Sequence, residues 1–291
     1  HQYARQMNNV KTAALLAFMG ALFVSLGWWL GGQTWALFAL GFAVLFNFGM
    51  YFYSDRLALA AARAKPATEL ELPNVYSIVN SLAQREQMPM PKIYLVESPN
   101  PNAFATGRSP RHAAVAVTTG ILEILDHREL EGVLAHELAH VKNRDILIST
   151  IAATLAAALA FVARIAFWGN VGRRSNDNGA GAIVGLIAMI VVPIAAALIQ
   201  MAISRSREYE ADHDGAVSTG SPLALASALQ KISSVGSRRP MDVNPAVSQL
   251  FISDPMMGLS SRQRKQFSMF ATHPPVEERI ARLDRMASGI R

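Results

Sequence analysis

The 291-residue sequence contains no cysteine. Disulfides, thiolate zinc sites and cysteine nucleophiles are thereby excluded. Charge is scarce as well: Asp, Glu, Lys and Arg make up 16% of the chain, against about 25% in an average soluble domain. The shortage is local, because the 43 residues from Thr12 to Ser54 include none of the four types. A surface helix of a soluble protein shows a polar face somewhere along such a length, so a purely soluble fold is a poor fit. The sequence also lacks an internal repeat, a low-complexity tail, a G-x-x-x-x-G-K-[ST] phosphate loop and a G-x-S-x-G elbow. P-loop and serine-hydrolase chemistry therefore have no foothold.

What is present begins with apolar length. As one helix, the uncharged run would reach roughly 65 Å, about twice a bilayer core of roughly 30 Å. It is expected to break at Gly31-Gly32-Gln33 into spans Thr12–Leu30 and Thr34–Tyr53. Trp28, Trp29, Trp35, Tyr51 and Tyr53 then fall where aromatics favour the interface. A cleaved signal peptide has a far shorter apolar core. His1 stands where an initiating Met would be expected, which points to an altered or processed start. Ile146–Ala163 and Asn178–Ser204 are also uncharged, lie either side of the polar stretch from Arg173, and carry a kink signal at Pro193. A second membrane hairpin is expected there; the Ala-rich run also suits burial within protein. Gly181-x-x-x-Gly185 fits a helix-packing face better than a dinucleotide loop.

Lys and Arg set the orientation. Twenty-four lie before the first span, between Asp55 and Asp145, or after Ser204; only Arg164, Arg173 and Arg174 lie elsewhere. The N-terminus, residues 55–145 and residues 205–291 should therefore face the cytoplasm. A lipid bilayer is the expected partner of the basic excess. No basic stripe interleaved with aromatics marks nucleic-acid binding. The organisation is thus a membrane hairpin at 1–54, a cytoplasmic part at 55–145, a second hairpin at 146–204 and a cytoplasmic part at 205–291.

The cytoplasmic parts read as mixed. Helices are expected at Asp55–Ala64, Pro73–Glu86, from Asp126 onward, from Arg205 to about Thr219, at Ser221–Val235 and from His273 through Arg285. Strands are expected at Pro91–Glu97 and Ala113–Thr118, with a loop at Ser98–Ala103 and loop-rich chain at Arg238–Gln266. Asp126-x-x-Glu129 resembles a capping box.

Chemistry concentrates in His136-Glu137-Leu138-Ala139-His140. Residues four apart share one helical face, so both imidazoles can meet one Zn²⁺, with Glu137 beside it as a base toward water. A third protein donor is required, and without cysteine it is His, Asp or Glu. Glu208 and Asp212 lie four apart after the second apolar hairpin; Glu208 could ligate while Asp212 orients a histidine. Glu210 and His213 remain open as ligands at this level. Two crossings separate His140 from Glu208, which returns them to the same membrane face. On a helix continuous into the third span, His136 would lie about 15 Å from that span.

With these residues in hand, the chain resembles the HtpX-type membrane metallopeptidases of the gluzincin group, relatives of the CAAX prenyl-protein endopeptidases. The resemblance covers nearly the whole chain. It runs through His136-Glu-x-x-His140, Glu208-x-x-x-Asp212 and His273-Pro-x-x-x-x-Arg279. It implies zinc on His136, His140 and Glu208, with Glu137 as general base and Asp212 behind the ligands. It further implies transition-state roles for His273 and Arg279. Asn102, Ala103, Phe104 and the strand bearing Val115 and Val117 look like the family's substrate-side edge. The implied fold is α+β and mainly helical, four transmembrane helices with a zincin-like domain carrying a small sheet. The implied protein is a zinc endopeptidase of a bacterium's inner membrane, acting on membrane or misfolded polypeptides in stress-linked quality control. Two other readings compete. A transporter would place ionisable groups inside its spans, and the first two have none. A zinc-bound scaffold without turnover would lack a general base, and Glu137 is present.

Overall fold

The structure, a computed structural model, describes residues 2–152, 205–239, 250–253 and 274–289. Helix α1, Gln2–Ala61, is two helical arms joined at Gly31-Gly32. Gly32 has φ 68° and ψ −151°, a conformation essentially confined to glycine. The arms fold back on each other. Asn47 Nδ2 donates to the Leu16 carbonyl at 2.9 Å, and the Phe23 ring meets Phe42 and Phe46 edge-on at 5.2 and 5.3 Å. The hairpin break thus falls at the expected glycines. The second arm, Gly31–Ala61, is long and apolar enough to cross a bilayer; the apolar stretch of the first, Val10–Ser25, is shorter. Leu37, Phe38 and Leu45 stand exposed on the second arm, a surface that water solvates poorly. That arm runs on to Ala61, so the helix expected from Asp55 is its continuation.

A four-stranded sheet follows: β1 Lys65–Pro66, β2 Lys92–Val96, β3 Ala103–Gly107 and β4 Ala113–Thr118, in the order β1-β2-β4-β3. β2 runs parallel to β4, and β3 antiparallel to it with Phe104 opposite Ala116. Every residue of β4 is buried. Helix α2, Pro73–Arg85, starts with proline in its first turn, where the missing N–H costs nothing. A short α3, Thr119–Ile124, is capped by the Thr118 side chain.

Helix α4, His127–Asn143, is the centre of the molecule. Asp126 and Glu129 form the expected capping box at its start. From Leu130 to Ala139 every residue except Glu131 is buried, as in a helix covered on most sides. Helices α5 Arg205–Thr219, α6 Pro222–Gly236 and α7 Val276–Ala287 complete the described fold. Glu129 ties α4 to α6 by accepting from Ser227 Oγ at 2.6 Å and Lys231 Nζ at 2.7 Å. The α+β, mainly helical class is as expected. The second hairpin beyond residue 152 and most of 240–273 lie outside the described residues.

Two local features position the site. Helix α4 stops at Asn143, Arg144 turns left-handed with φ 59°, and a new helix begins at residue 146. The continuous helix into the third span is therefore interrupted. Ile146 belongs to the sheet-side core, while Leu147, Ile148 and Ile151 are buried with Leu15, Met19 and Met50 of α1. The second feature is Gly215. A Cβ there would sit 2.9 Å from His136 N and 3.1 Å from its Cα, so α5 reaches α4 only because no side chain intervenes.

Gly215→Ala is expected to push α5 off α4, lower stability by about 1–3 kcal/mol and reduce bound zinc. Gly41→Ala, at a helical position with open space around it, should not lower stability and should leave zinc unchanged. Thermal midpoints and zinc stoichiometry check the pair.

Candidate active site and metal centre

One turn of α4 separates His136 from His140, and their Nε2 atoms lie 3.2 Å apart. Helix α5 brings Glu208 to them, with carboxylate oxygens 3.8 Å from His136 Nε2 and 3.6 Å from His140 Nε2. Three ligand atoms, one from each residue, lie within 4.8 Å of one another. Zinc bonds of about 2.0–2.2 Å in a tetrahedron put donors about 3.3–3.6 Å apart, so the observed spacings fit with slight closure. Two imidazoles and one carboxylate, leaving a fourth position open, are a donor set of the catalytic kind. Of the alternatives left open by the sequence, Glu208 joins the cluster; His213 is exposed beside Asp214.

The far side of each imidazole holds a carboxylate. His136 Nδ1 lies 2.9 Å from Asp212 Oδ1, and His140 Nδ1 lies 3.0 Å from Asp145 Oδ2. A proton donated from each Nδ1 turns the Nε2 lone pairs toward the common centre. Sequence reasoning singled out Asp212 but missed Asp145. Its only signal was a carboxylate just past the helix end, and the left-handed turn at Arg144 is what returns it to His140.

Arg279 of α7 was expected near a developing oxyanion. It is 1% exposed and turned inward. Nε and Nη2 donate to Asp212 at 2.8 and 2.6 Å, Nη1 donates to the Ile252 carbonyl at 3.0 Å, and Nη2 comes within 3.5 Å of His136 Nδ1. A cation so deeply buried requires a carboxylate, and Asp212 is it. Arg279 is thus paired with Asp212 and bonded to the Ile252 carbonyl.

Glu137 is buried beside the cluster, and its Oε2 accepts from the Ala105 N–H of β3 at 2.8 Å. That backbone donor had no signature in the sequence. The other residues expected at the substrate edge sit as follows. Asn102 lies just before β3 with its backbone on Thr118, and Ala103 opens the strand; both are buried. Phe104 is fully buried against Phe251, ring centroids 4.8 Å apart. Val115 and Val117 are fully buried in β4, which is flanked on both sides. β3 is an edge strand of the sheet, and the two valines are sheet core. His273 lies outside the described residues.

The protein's own charges perturb these groups strongly. Burial pushes the Glu137 carboxyl up to about 8, with Glu208 adding to the rise. Burial alone would lower His140, but Asp145 and then Glu208 and Glu137 raise it to about 10. Burial lowers His136 despite Asp212. Burial would raise Asp212, and the Arg279 guanidinium more than reverses it, holding that carboxyl well below the usual range.

A sequence profile of Peptidase family M48 matches residues 69–287, most of the chain and every group just described. The chain belongs to peptidase family M48. The relatives of this M48 peptidase include a Protease HtpX homolog of Thermodesulfovibrio yellowstonii, 50% identical over 284 residues that span 97% of this chain and 99% of that one. Another Protease HtpX homolog, from Pelotomaculum thermopropionicum, is 47% identical over 97% of this chain and 100% of its own. A crystal structure of S. mikatae Ste24p aligns with a TM-score of 0.49 at 19% identity, over 98% of this chain and 67% of that one. The M48 peptidase is a zinc metalloprotease acting on polypeptides, and His136, His140 and Glu208 are a donor set that fits the metal.

Two measurements test the centre. Asp145→Asn should weaken zinc binding about 10–100-fold in metal-buffered titrations. The His140 imidazolium persists to about pH 10, so zinc loading at pH 7 must expel its proton. Affinity should fall about tenfold per unit of acidification, with about one proton released, read by calorimetry in buffers of different ionisation enthalpy.

Proposed function

We propose that this M48 peptidase is a multi-pass endopeptidase of the cell membrane, cleaving membrane or misfolded polypeptides at the cytoplasmic face in protein quality control. Glu137 carries the proposal: a buried carboxylate beside a three-donor cluster, fixed by the amide of an edge strand. The apolar arm Gly31–Ala61 and the 24-to-3 split of basic residues support the membrane and its orientation. The four-span topology and the division of the chain at residues 54, 145 and 204 belong to the same proposal.

His136, His140 and Glu208 are assigned as the zinc ligands. When bound, zinc supplies Lewis acidity toward a carbonyl and toward water. Asp212 and Asp145 hold the imidazoles by Nδ1, so both Nε2 atoms stay directed at the metal. Glu137, with Oε2 on the Ala105 amide, keeps Oε1 for proton transfer. It takes the proton of the attacking water and returns it to the leaving amine. Burial raises the Glu137 carboxyl and strengthens it as a base, and the charge of a bound zinc would draw it back toward the ionised form. An extended substrate adds to the outer side of β3 through backbone pairing, which tolerates many side chains. His273 is retained as a transition-state donor on its place in the motif, while Arg279 is assigned to positioning.

A zinc-binding scaffold is the alternative, and Glu137 argues against it, since structural sites need no base. Glu137→Gln keeps the volume and the bond to Ala105 but cannot accept the proton. It should retain one zinc and lose at least about 10²-fold in casein cleavage in detergent. Full activity in that variant would exclude Glu137 as the base.

A further inference from the structure

The outer side of β3 is already occupied. Among the described residues, β3 has a strand partner, β4, on one side only. Thr118 N–H donates to the Asn102 carbonyl across that ladder, so Ala103 and Ala105 point their backbone groups outward. Residues 250–253 lie along this edge. Ile252 N–H donates to the Ala103 carbonyl at 2.9 Å. The Asn102 side-chain amide takes both backbone groups of Ser253, donating to its carbonyl at 2.8 Å and accepting from its N–H at 3.3 Å. The Ile252 carbonyl accepts from Arg279 Nη1 at 3.0 Å.

Four backbone groups of two successive residues are therefore held, and none of the bonds uses a side chain of Ile252 or Ser253. That is how a protease edge must hold a polypeptide if it is to accept many sequences. The side chains divide by face. Phe251 packs on Phe104, and Ile252 is buried in the same cluster as Val276 and Leu283 of α7. The next outward group of β3, the Ala105 N–H, is on Glu137. The segment's bond to β3 thus lies one outward position along the strand from the amide that holds Glu137. Its anchor Arg279 is joined through Asp212 to the ligand His136.

We propose that Leu250–Ser253 is an internal pseudosubstrate, occupying the edge on which an extended polypeptide pairs and leaving it before substrate binds. The proposal rests on the peptidase reading above. As part of the same chain, the segment competes at an effective concentration on the order of mM, so the enzyme is restrained until a substrate or a movement of the segment displaces it. The groups that fit the edge also define its preference: an aromatic residue in the Phe251 place followed by a branched aliphatic one in the Ile252 place.

The test measures binding, not turnover. The probe is a fluorescent heptapeptide copying Ser248–Asp254, titrated into the zinc-loaded, full-length Glu137→Gln protein in detergent. Adding Ile252→Ala weakens the internal competitor, and the probe should bind at least threefold more tightly; unchanged or weaker binding by a folded, zinc-loaded variant counts against the proposal. A tether decides the matter if that variant folds poorly. The chain has no other thiol, so Phe104→Cys with Phe251→Cys gives a single disulfide that pins the segment. Oxidation should weaken probe binding at least tenfold, and reduction should restore it. Equal affinity in the two redox states overturns the proposal and makes the segment a fixed part of the sheet. Casein cleavage by the unsubstituted chain, run alongside, tests the peptidase reading separately, because the tether result does not depend on turnover.

Discussion

A guanidinium and a carboxylate buried together hold the site in register. Asp212 stands on α5, Arg279 on α7 and His136 on α4, and the ion pair joins all three at one point. Removing one partner of such a pair strands a charge in the interior, typically at a cost of 3–5 kcal/mol, so the helices keep their spacing as a unit. Glu208 lies one turn from Asp212 on the same helical face. Fixing Asp212 against His136 therefore also fixes the third donor. The bare backbone at Gly215 lets that turn of α5 come close enough for the arrangement to exist.

The site is also a study in surplus negative charge. Glu137, Asp145, Glu208 and Asp212 are all buried within reach of two imidazoles and two guanidiniums, those of Arg279 and Arg207. Asp212 is satisfied by Arg279. Burial raises Glu137, with Glu208 adding to the rise, while Asp145, Glu208 and Glu137 together let His140 hold its proton and Arg207 faces Asp145 and Glu208. A dication at the centre relieves the same imbalance more fully than one proton can. Ligand geometry and electrostatics thus point to the same atom positions by independent routes.

Much of this was legible in the sequence because it is helical and local. The capping box marks the start of α4, i,i+4 spacing puts the two imidazoles together, and the same spacing pairs Glu208 with Asp212. The glycine break in α1 was legible because bilayer thickness limits a helix. What escaped notice depends on partners far along the chain or on an unusual local turn. The segment Ala103–Gly107 has little β-character of its own, and β4 makes it a strand. The alternation in Ala113–Thr118 cannot say whether that strand is central or an edge. Arg279 lies 67 residues from the carboxylate that turns it inward, so its motif announces importance without direction. Asp145 depends on a left-handed arginine, a conformation that favours glycine or asparagine.

That last turn has an architectural consequence. Asp145 is aimed at His140 by a junction whose next residue, Ile146, is packed with the sheet, while Leu147 and Ile148 grip the first arms of the chain. The part of the chain that carries the site is consequently not independent of the first helix: a cut that removed α1 would strip the packing from the junction through which His140 receives its alignment.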